Sequence, residues 1–519
     1  MRRVLIVANR LPVTASVGPD GLSLGSSAGG LATGLGRVHE ETGGVWIGSP
    51  GVTTDQVDAA QWDELVKTFA KDRFIPVPIT KEESDRFYEG FSNSFIWPIL
   101  HSITGKTPLE TDDWVVYRQI NQRFADLVVE HYRPGDRIWI HDFHLFLVPA
   151  MIRAQLPDAA IGFFLHVPFP TADIFRTLPH RRELLEGLLG STLIGFHTAN
   201  YLRHFSVTLA ELLGLGTDID RVALGDRSVR LGTFPIGVDA SAFDTLARDP
   251  FVTGLVKEIR GDDEGQLMVS VDRLDYTKGV PRRLLAFERL LTEHPELHER
   301  VRLINLSVPT REAVPAYQEH RQEVDTMVGR INGRVATPRW NPIHYMFRAV
   351  DRSNLVALYR AADVMLVTPI RDGMNLVAKE FVASRVDDDG VLMLSEFAGA
   401  AADLGEALLV NPYEVDNLAA AMAEALAMPK PERQRRMAAL RARVARYDVD
   451  WWANTFLQSL DNESRSSIRQ PVRLGHGGLQ VALDRFRKAS RRILVLDYDG
   501  TLVPLVDRPE TAIPDDELL

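Results

Sequence analysis

The chain has 519 residues, a formal charge of −11, no cysteine, and hydrophobic and charged fractions of 45% and 25%. That balance belongs to a soluble globular protein with room for about three domains. It argues against general nucleic-acid binding and removes disulfides, thiol nucleophiles and cysteine-ligated zinc. The apolar run Val4 to Ala8, between Met1-Arg2-Arg3 and Asn9-Arg10, is too short for a signal-peptide core. No apolar run approaches the ~20 residues of a membrane span, so a cytoplasmic protein with no membrane partner is expected.

Val4 to Ala8 reads as a buried strand with Asn9-Arg10 at its carboxyl end, the end of an open α/β sheet where ligands bind. The glycine-rich run Gly25 to Gly36 follows. It reads as a loop feeding a helix, able to lay amides against a phosphate, but it is neither a Walker loop nor a Gly-x-Gly-x-x-Gly fingerprint. Gly21-Leu22-Ser23-Leu24-Gly25 has the spacing of a hydrolase nucleophile elbow. That elbow needs a preceding strand, and Val17-Gly18-Pro19-Asp20 is a turn. Tyr88, Phe91, Phe95 and Trp97 form either core or a pocket wall in which Tyr88 and Trp97 act as donors. Ile138 to Ile140 is a strand ending in His141-Asp142-Phe143-His144. His141 and His144 could ligate a metal, but no third ligand stands at a recognisable spacing. Ile161 onward is a further strand, ending in His166-Val167-Pro168-Phe169-Pro170. As parallel neighbours, the two strands would bring Asp142 and His166 to one rim.

Around Thr233 to Asp239 the chain crosses into a second α/β unit. Gln266 to Val271 is a strand ending in Asp272-Arg273-Leu274-Asp275-Tyr276-Thr277-Lys278-Gly279. Arg273 and Lys278 together suit a diphosphate; the other reading is surface charge paired with Asp272 and Asp275. Val301 to Leu306 is the next strand, ending in Pro309-Thr310-Arg311. Val364 to Thr368 is a buried strand, followed by a tight loop and a helix from Leu376. The free amides at such a helix start carry positive partial charge, fit for an anion or a set of sugar hydroxyls. Asp372 on the loop can accept from hydroxyls, and Gly373 admits close approach to the backbone. Glu380 shares a helix face with Leu376 and can accept from both hydroxyls of a diol such as a ribose. The bland reading is an αβ unit with a solvated acidic turn. Asn417 to Met428 is helical, and the basic run Lys430 to Arg446 has the spacing of a solvated helix face.

Two βα-repeating halves with polar strand ends point to an α/β protein of two facing Rossmann-like domains. The chain resembles the trehalose-6-phosphate synthases, retaining family 20 glycosyltransferases of the two-domain GT-B fold. Asn9-Arg10, Ser27 to Leu31, the Tyr88 to Trp97 segment, His141-Asp142-x-His144, His166 to Pro170, Asp272 to Gly279 and Asp372 to Glu380 carry the resemblance in order over roughly residues 1 to 460. Phe143 departs from it, standing where the family commonly has tyrosine. The resemblance implies an acceptor domain over 1–240 and a nucleotide-sugar domain over 241–461, with the interdomain cleft as the site. It implies glucose transfer from UDP-glucose to glucose 6-phosphate with retention. Arg273 and Lys278 would hold the donor diphosphate, helped by the amides of Met374, Asn375 and Leu376. Glu380 would hold the ribose, and Asp372 and His166 the donor glucose. Asp142 would orient the acceptor sugar, and Arg10, Tyr88, Trp97 and Arg311 would form the acceptor-phosphate pocket. Gly30 would let the N-terminal loop close on the donor. No cofactor or metal is expected, and a homo-oligomer is compatible with the resemblance. The nucleotide stays open between UDP, GDP and ADP. A synthase using another phosphorylated acceptor, such as glycerol 3-phosphate, and a catalytically silent sugar-phosphate sensor are the other readings. The intact set of donor residues favours an enzyme.

Residues 462–490 read as a linker with a short helix. Ile493 to Leu496 then leads into Asp497-Tyr498-Asp499-Gly500-Thr501, which resembles the opening motif of haloacid-dehalogenase-type phosphatases, here trehalose-6-phosphate phosphatase. The chain given ends at Leu519, before the lysine and acidic residues such chemistry needs, so 491–519 is expected to be a truncated, inactive phosphatase-like fragment. Incubation with trehalose 6-phosphate and Mg²⁺ should release no phosphate, and Asp497→Asn should leave glucosyl transfer unchanged. Phosphate release abolished by Asp497→Asn would overturn that expectation.

Overall fold

Strand formation in this chain follows runs of β-branched and aliphatic residues that are buried on both faces, as in a parallel sheet covered by helices. The computed structural model describes residues 2–18, 21–26, 30–108, 112–225, 227–261, 265–312, 314–467 and 483–490. The phosphatase-like stretch 491–519 and most of the expected linker lie outside the described residues; within 462–490, residues 462–467 and 483–488 are helical.

The first half carries β1 (Val4–Arg10), the antiparallel hairpin β2 (Val13–Gly18) and β3 (Gly21–Ser26), β4 (Val45–Ser49), β5 (Phe74–Pro76), β6 (Arg137–His141), β7 (Ala160–Phe164), β8 (Leu193–Phe196), β9 (Thr217–Asp218), β10 (Arg221–Leu224) and β11 (Arg227–Thr233). They form one sheet in the order β5-β4-β1-β6-β7-β8-β11-β10-β9, with the hairpin separate. The pairs are parallel except at the β11-β10-β9 edge. The second half carries β12 (Gln266–Arg273), β13 (Val301–Val308), β14 (Ile343–Phe347), β15 (Val364–Val367), β16 (Val391–Ser395) and β17 (Leu408–Val410). Their order is β14-β13-β12-β15-β16-β17, all parallel. Each half therefore winds outward from a central strand, turns back, and continues on the other side. The reversals fall between β1 and β6 and between β12 and β15. Crevices for ligands open at the carboxyl ends of the strands at such switch points. Arg10 and Asp142 stand at the first, Arg273 and Asp372 at the second.

The expected domain boundary at 461 cuts through a helix. Val449–Ser467 does not stay with the second sheet but packs back on the first. Trp452, Phe456 and Leu460 recur at helical spacing and are fully buried. The Phe456 ring stacks on Trp139 at 4.8 Å, and Trp452 meets Trp139 at 5.0 Å. Gly162 and Gly195 make the floor: a Cβ on either would lie 2.7 and 2.8 Å from the Phe456 ring. Arg221 pairs with Glu463 at the far end of the helix, and Arg37 pairs with Asp239 (3.2 Å) and Asp450 near its start. An apolar stripe alone cannot tell which of two sheets a helix will cover, so this crossing was not legible in the sequence. Phe456→Ala should lower the unfolding free energy by about 3–5 kcal/mol through the cavity it leaves, measured in urea. A loss below about 1 kcal/mol would mean that the helix does not anchor the first half.

Candidate active site

One rim of the site is built where β12 and β15 end. After Arg273 the loop tightens into a single turn: Asp275 Oδ1 accepts from the Thr277 amide at 2.9 Å, and the Lys278 amide donates to the Asp275 carbonyl at 2.9 Å. Arg273 is exposed, whereas the Lys278 ammonium is buried and donates to Asp372 Oδ2 at 2.5 Å. Burial pushes the Asp372 carboxyl up, and the charge of Lys278 more than reverses this, holding it below the usual range. Asn375 Nδ2 donates to the same oxygen at 3.0 Å, and its Oδ1 caps the Ala378 amide at 3.2 Å. Asn375 has φ +76°, a left-handed conformation that asparagine tolerates better than most residues. The helix Leu376–Ser384 thus presents its first amides beside the Lys278–Asp372 pair. Glu380 lies a turn along it and accepts from the Tyr359 hydroxyl at 2.8 Å; burial pushes its carboxyl up.

This rim touches the first half directly. A Cβ on Gly373 would lie 2.1 Å from the His166 carbonyl oxygen, so only glycine fits there. Tyr201 donates to the Asp372 carbonyl at 2.9 Å. His166 lies between, its imidazole kept neutral by burial and by His197. Its Nε2 shares a hydrogen bond of 3.1 Å with His141 Nδ1. Asp142 has φ +74°, and its Oδ1 accepts from the His166 amide at 3.2 Å. Burial pushes the Asp142 carboxyl up to about 6, against the Phe143 and His166 amides and the charges of Arg311 and Arg273.

The opposite rim is a set of arginines around two aromatic rings. Residues Asp85–Ile96 form a π-helix running into the helix Trp97–Leu100; such wide turns re-aim side chains at functional sites. Tyr88 stacks on His144 with 5.6 Å between centroids, and the Arg10 guanidinium lies over its ring at 5.1 Å. Trp97 carries Arg311 at 4.0 Å and Arg273 at 5.7 Å. Burial pushes the Tyr88 phenol up, yet Arg311, Arg10 and Arg273 together bring it below its ordinary value. A concentration of positive charge that lowers a buried phenol is a site for a polyanion.

Contacts and electrostatics gather Arg10, Tyr88, Trp97, Asp142, His166, Arg273, Lys278, Arg311, Asp372 and Asn375 into one cluster, with Met374, Leu376 and Glu380 on the adjoining loop and helix. Gly30 is placed as the first residue of the helix Gly30–Thr42, and residues 27–29 before it lie outside the described residues. Among the described residues no three His, Asp or Glu side chains converge as a metal ion would require; His141 instead orients His166, and His144 supports Tyr88. The alternative pairing of Arg273 and Lys278 with Asp272 and Asp275 does not occur. Asp272 pairs with Arg283 at 2.8 Å, and Asp275 with Arg311 at 3.2 Å. Tyr201, Tyr317 and Tyr359 were missed, since none stands in a motif and each reaches the site only through the fold. His141 was noticed only as a possible ligand.

A family model, "Glycosyltransferase family 20", matches residues 2–462. The chain belongs to glycosyltransferase family 20. A bifunctional trehalose-6-phosphate synthase/phosphatase of Thermoproteus tenax is 44% identical over 537 residues, covering 100% of this chain and 72% of that protein. A crystal structure of an alpha,alpha-trehalose-phosphate synthase (UDP-forming) from Burkholderia xenovorans in complex with glucose-6-phosphate matches with a TM-score of 0.79 at 35% identity, over 88% of this chain and 100% of that one. An E. coli structure bound with UDP-2-fluoro glucose matches with a TM-score of 0.79 at 34% identity, over 88% and 98%. The two facing Rossmann-like halves are the GT-B arrangement of family 20.

In this family 20 cleft the Asp142 carboxyl has a folded pKa of about 6 against an ordinary 3.8. From the lower to the higher of those values the unfolded chain ionises first, so the stability this group lends at low pH is lost as pH rises. Asp142→Asn loses no such increment and keeps the left-handed backbone. At pH 7.5 it should melt a few degrees above wild type while losing activity, and the gain should vanish below about pH 4. A lower melting temperature at both pH values would show that the carboxylate is not held at a cost.

Proposed function

We propose that the protein transfers glucose from UDP-glucose to glucose 6-phosphate, making trehalose 6-phosphate with the anomeric configuration retained. The observation that carries this reading is the pairing of two anion sites across one cleft. On one rim Lys278, Arg273 and a helix start suit a diphosphate; on the other Arg10 and Arg311, with Tyr88 and Trp97, suit a phosphorylated acceptor.

Donor binding places the diphosphate between Arg273, Lys278 and the amides of Met374, Asn375 and Leu376. As the glycosidic bond breaks, charge grows on the leaving phosphate oxygen, and these preorganised donors stabilise it more than they stabilise the intact donor. Asp372, kept ionised by Lys278, accepts from donor-glucose hydroxyls. His166, kept neutral, offers hydrogen bonds without adding charge beside an oxocarbenium-like centre. Glu380 uses the oxygen that Tyr359 leaves free to accept from the ribose. Asp142 accepts from the acceptor sugar and turns its reacting hydroxyl to the donor face, where the leaving phosphate takes the proton. No carboxylate nucleophile is needed: Asp372 is engaged by Lys278 and Asn375. Arg273 and Lys278 supply the charge neutralisation otherwise assigned to a metal.

A nucleotide-release assay tests this. Lys278→Ala and Arg273→Ala should each lower kcat about 10²–10³-fold. Arg10→Ala should raise KM for glucose 6-phosphate about tenfold or more with little change for UDP-glucose. Chelation with EDTA should leave turnover unchanged. Near wild-type kcat in both donor-rim variants, or turnover abolished by EDTA and restored by a metal, would overturn the reading.

A further inference from the structure

Asp275 is assigned no substrate contact above, yet both of its carboxylate oxygens are engaged beside the cleft. It is completely buried. Its Oδ1 takes the Thr277 amide. Its Oδ2 takes the Tyr317 hydroxyl at 2.8 Å and Arg311 Nη1 at 3.2 Å, and Arg311 also donates to the Tyr317 hydroxyl. On its own loop the Asp275 amide donates to the Arg273 carbonyl at 2.8 Å, and its carbonyl accepts from the Lys278 amide at 2.9 Å. Asp275 is therefore wired by backbone to both donor-rim cations and by side chain to an acceptor-rim arginine.

Arg311 needs such a hold. Its φ is +47°, a left-handed conformation unfavourable for any residue with a Cβ. Its guanidinium lies 4.0 Å from the Trp97 ring of the other half. Its Nε is buried with no hydrogen-bond partner. The Tyr317 ring is braced in turn by Tyr276 at 5.1 Å between centroids, the residue after Asp275. Burial pushes the Asp275 carboxyl up, but Arg311, Arg273 and Lys278 hold it well below the usual range, so it stays an acceptor at neutral pH.

We infer that Asp275, with Tyr317, is a positioning device that couples the two substrate sites. Ordering of the Arg273–Lys278 loop by a donor diphosphate fixes Asp275, and Asp275 fixes the orientation in which Arg311 meets the acceptor phosphate. This rests on the reading of Arg311 as an acceptor-phosphate residue. The sign of the effect separates orientation from charge. Removing a negative charge beside a phosphate site would by itself tighten phosphate, whereas loss of orientation weakens it.

The test measures glucose 6-phosphate affinity with and without saturating UDP, by calorimetry, alongside steady-state KM values. In wild type, UDP should tighten glucose 6-phosphate. In Asp275→Asn that enhancement should fall towards one, and KM for glucose 6-phosphate should rise about tenfold, the loss of one hydrogen bond to a charged group. KM for UDP-glucose should change less than about threefold. Tyr317→Phe keeps the ring against Tyr276 and should shift the same two quantities in the same direction by about three- to tenfold; it decides the matter if Asp275→Asn does not fold. A lower KM for glucose 6-phosphate in Asp275→Asn, an equal rise in both KM values, or an enhancement unchanged in both variants overturns the coupling. Arg311→Ala is the control: if it leaves KM for glucose 6-phosphate unchanged, the assignment of Arg311 fails; if it raises KM while Tyr317→Phe has no effect, only the coupling fails.

Discussion

The cleft depends on one buried cation. Arg283 is completely buried, and a guanidinium removed from water is tolerated only when its charge and its donors are met. Here they are met by the ends of the elements that make the donor rim. Nη2 pairs with Asp272 at 2.8 Å on β12 and donates to the Lys278 carbonyl at 3.3 Å. Nε donates to Thr368 Oγ1 at 2.9 Å, just past β15. Nη1 reaches Asn305 Oδ1 at 3.4 Å on β13. Three neighbouring strands and the loop after β12 are tied to one planar group. A loop that holds Arg273 and Lys278 in fixed positions at the rim needs such a support. Apolar packing alone would hold the strands but not the loop.

The second constraint is the contact between halves. Lys379, on the donor helix, buries its ammonium against the Ile236 carbonyl at 2.8 Å and Asp403 at 2.9 Å. It thereby ties the helix Leu376–Ser384 to the segment where the chain crosses between domains. Gly373 against His166, Tyr201 on Asp372 and Arg311 on Trp97 close the same gap from the cleft side. Three residues here, Asp142, Arg311 and Asn375, hold left-handed backbones that L-residues with a Cβ adopt reluctantly. Each is fixed by hydrogen bonds to another site residue, and such over-determination is how local strain persists at a functional site.

Much of this was legible in the sequence because buried parallel strands announce themselves as apolar runs, and polar residues at their ends stand out against them. Arg10, Asp142, His166, Arg273 and Asp372 were found in that way. What the sequence withheld is partnership. Lys278 and Asp372 are 94 positions apart, and nothing local prefers that pairing over the nearer Asp275. The destination of the helix Val449–Ser467 was hidden for the same reason: its stripe specifies burial, not the sheet that provides it. Glu380 was assigned to a diol from its place on a helix face, but Tyr359, which occupies one of its oxygens, comes from a helix whose approach is set by the whole second half.

A chain of net charge −11 that handles two phosphorylated sugars must separate its local field from its overall one. It does so by neutralising most cations outside the cleft. Along the helix Lys430–Arg446, Arg433, Arg436, Arg441 and Arg443 are all paired with carboxylates, so that basic run projects little field. Inside, Arg10 and Arg273 make no ion pair among the described residues, and Arg311 spends only one of its nitrogens on Asp275. Lys278 is the exception, and its bond to Asp372 explains itself. An ammonium removed from water is tolerated where a partner meets it, and the Asp372 carboxylate at 2.5 Å is that partner. In the proposed reaction Lys278 would keep Asp372 as one partner and turn its remaining donors to the phosphate that leaves. Such a cation would accelerate transfer only by meeting the leaving charge better than it meets the intact donor; tight donor binding alone would not.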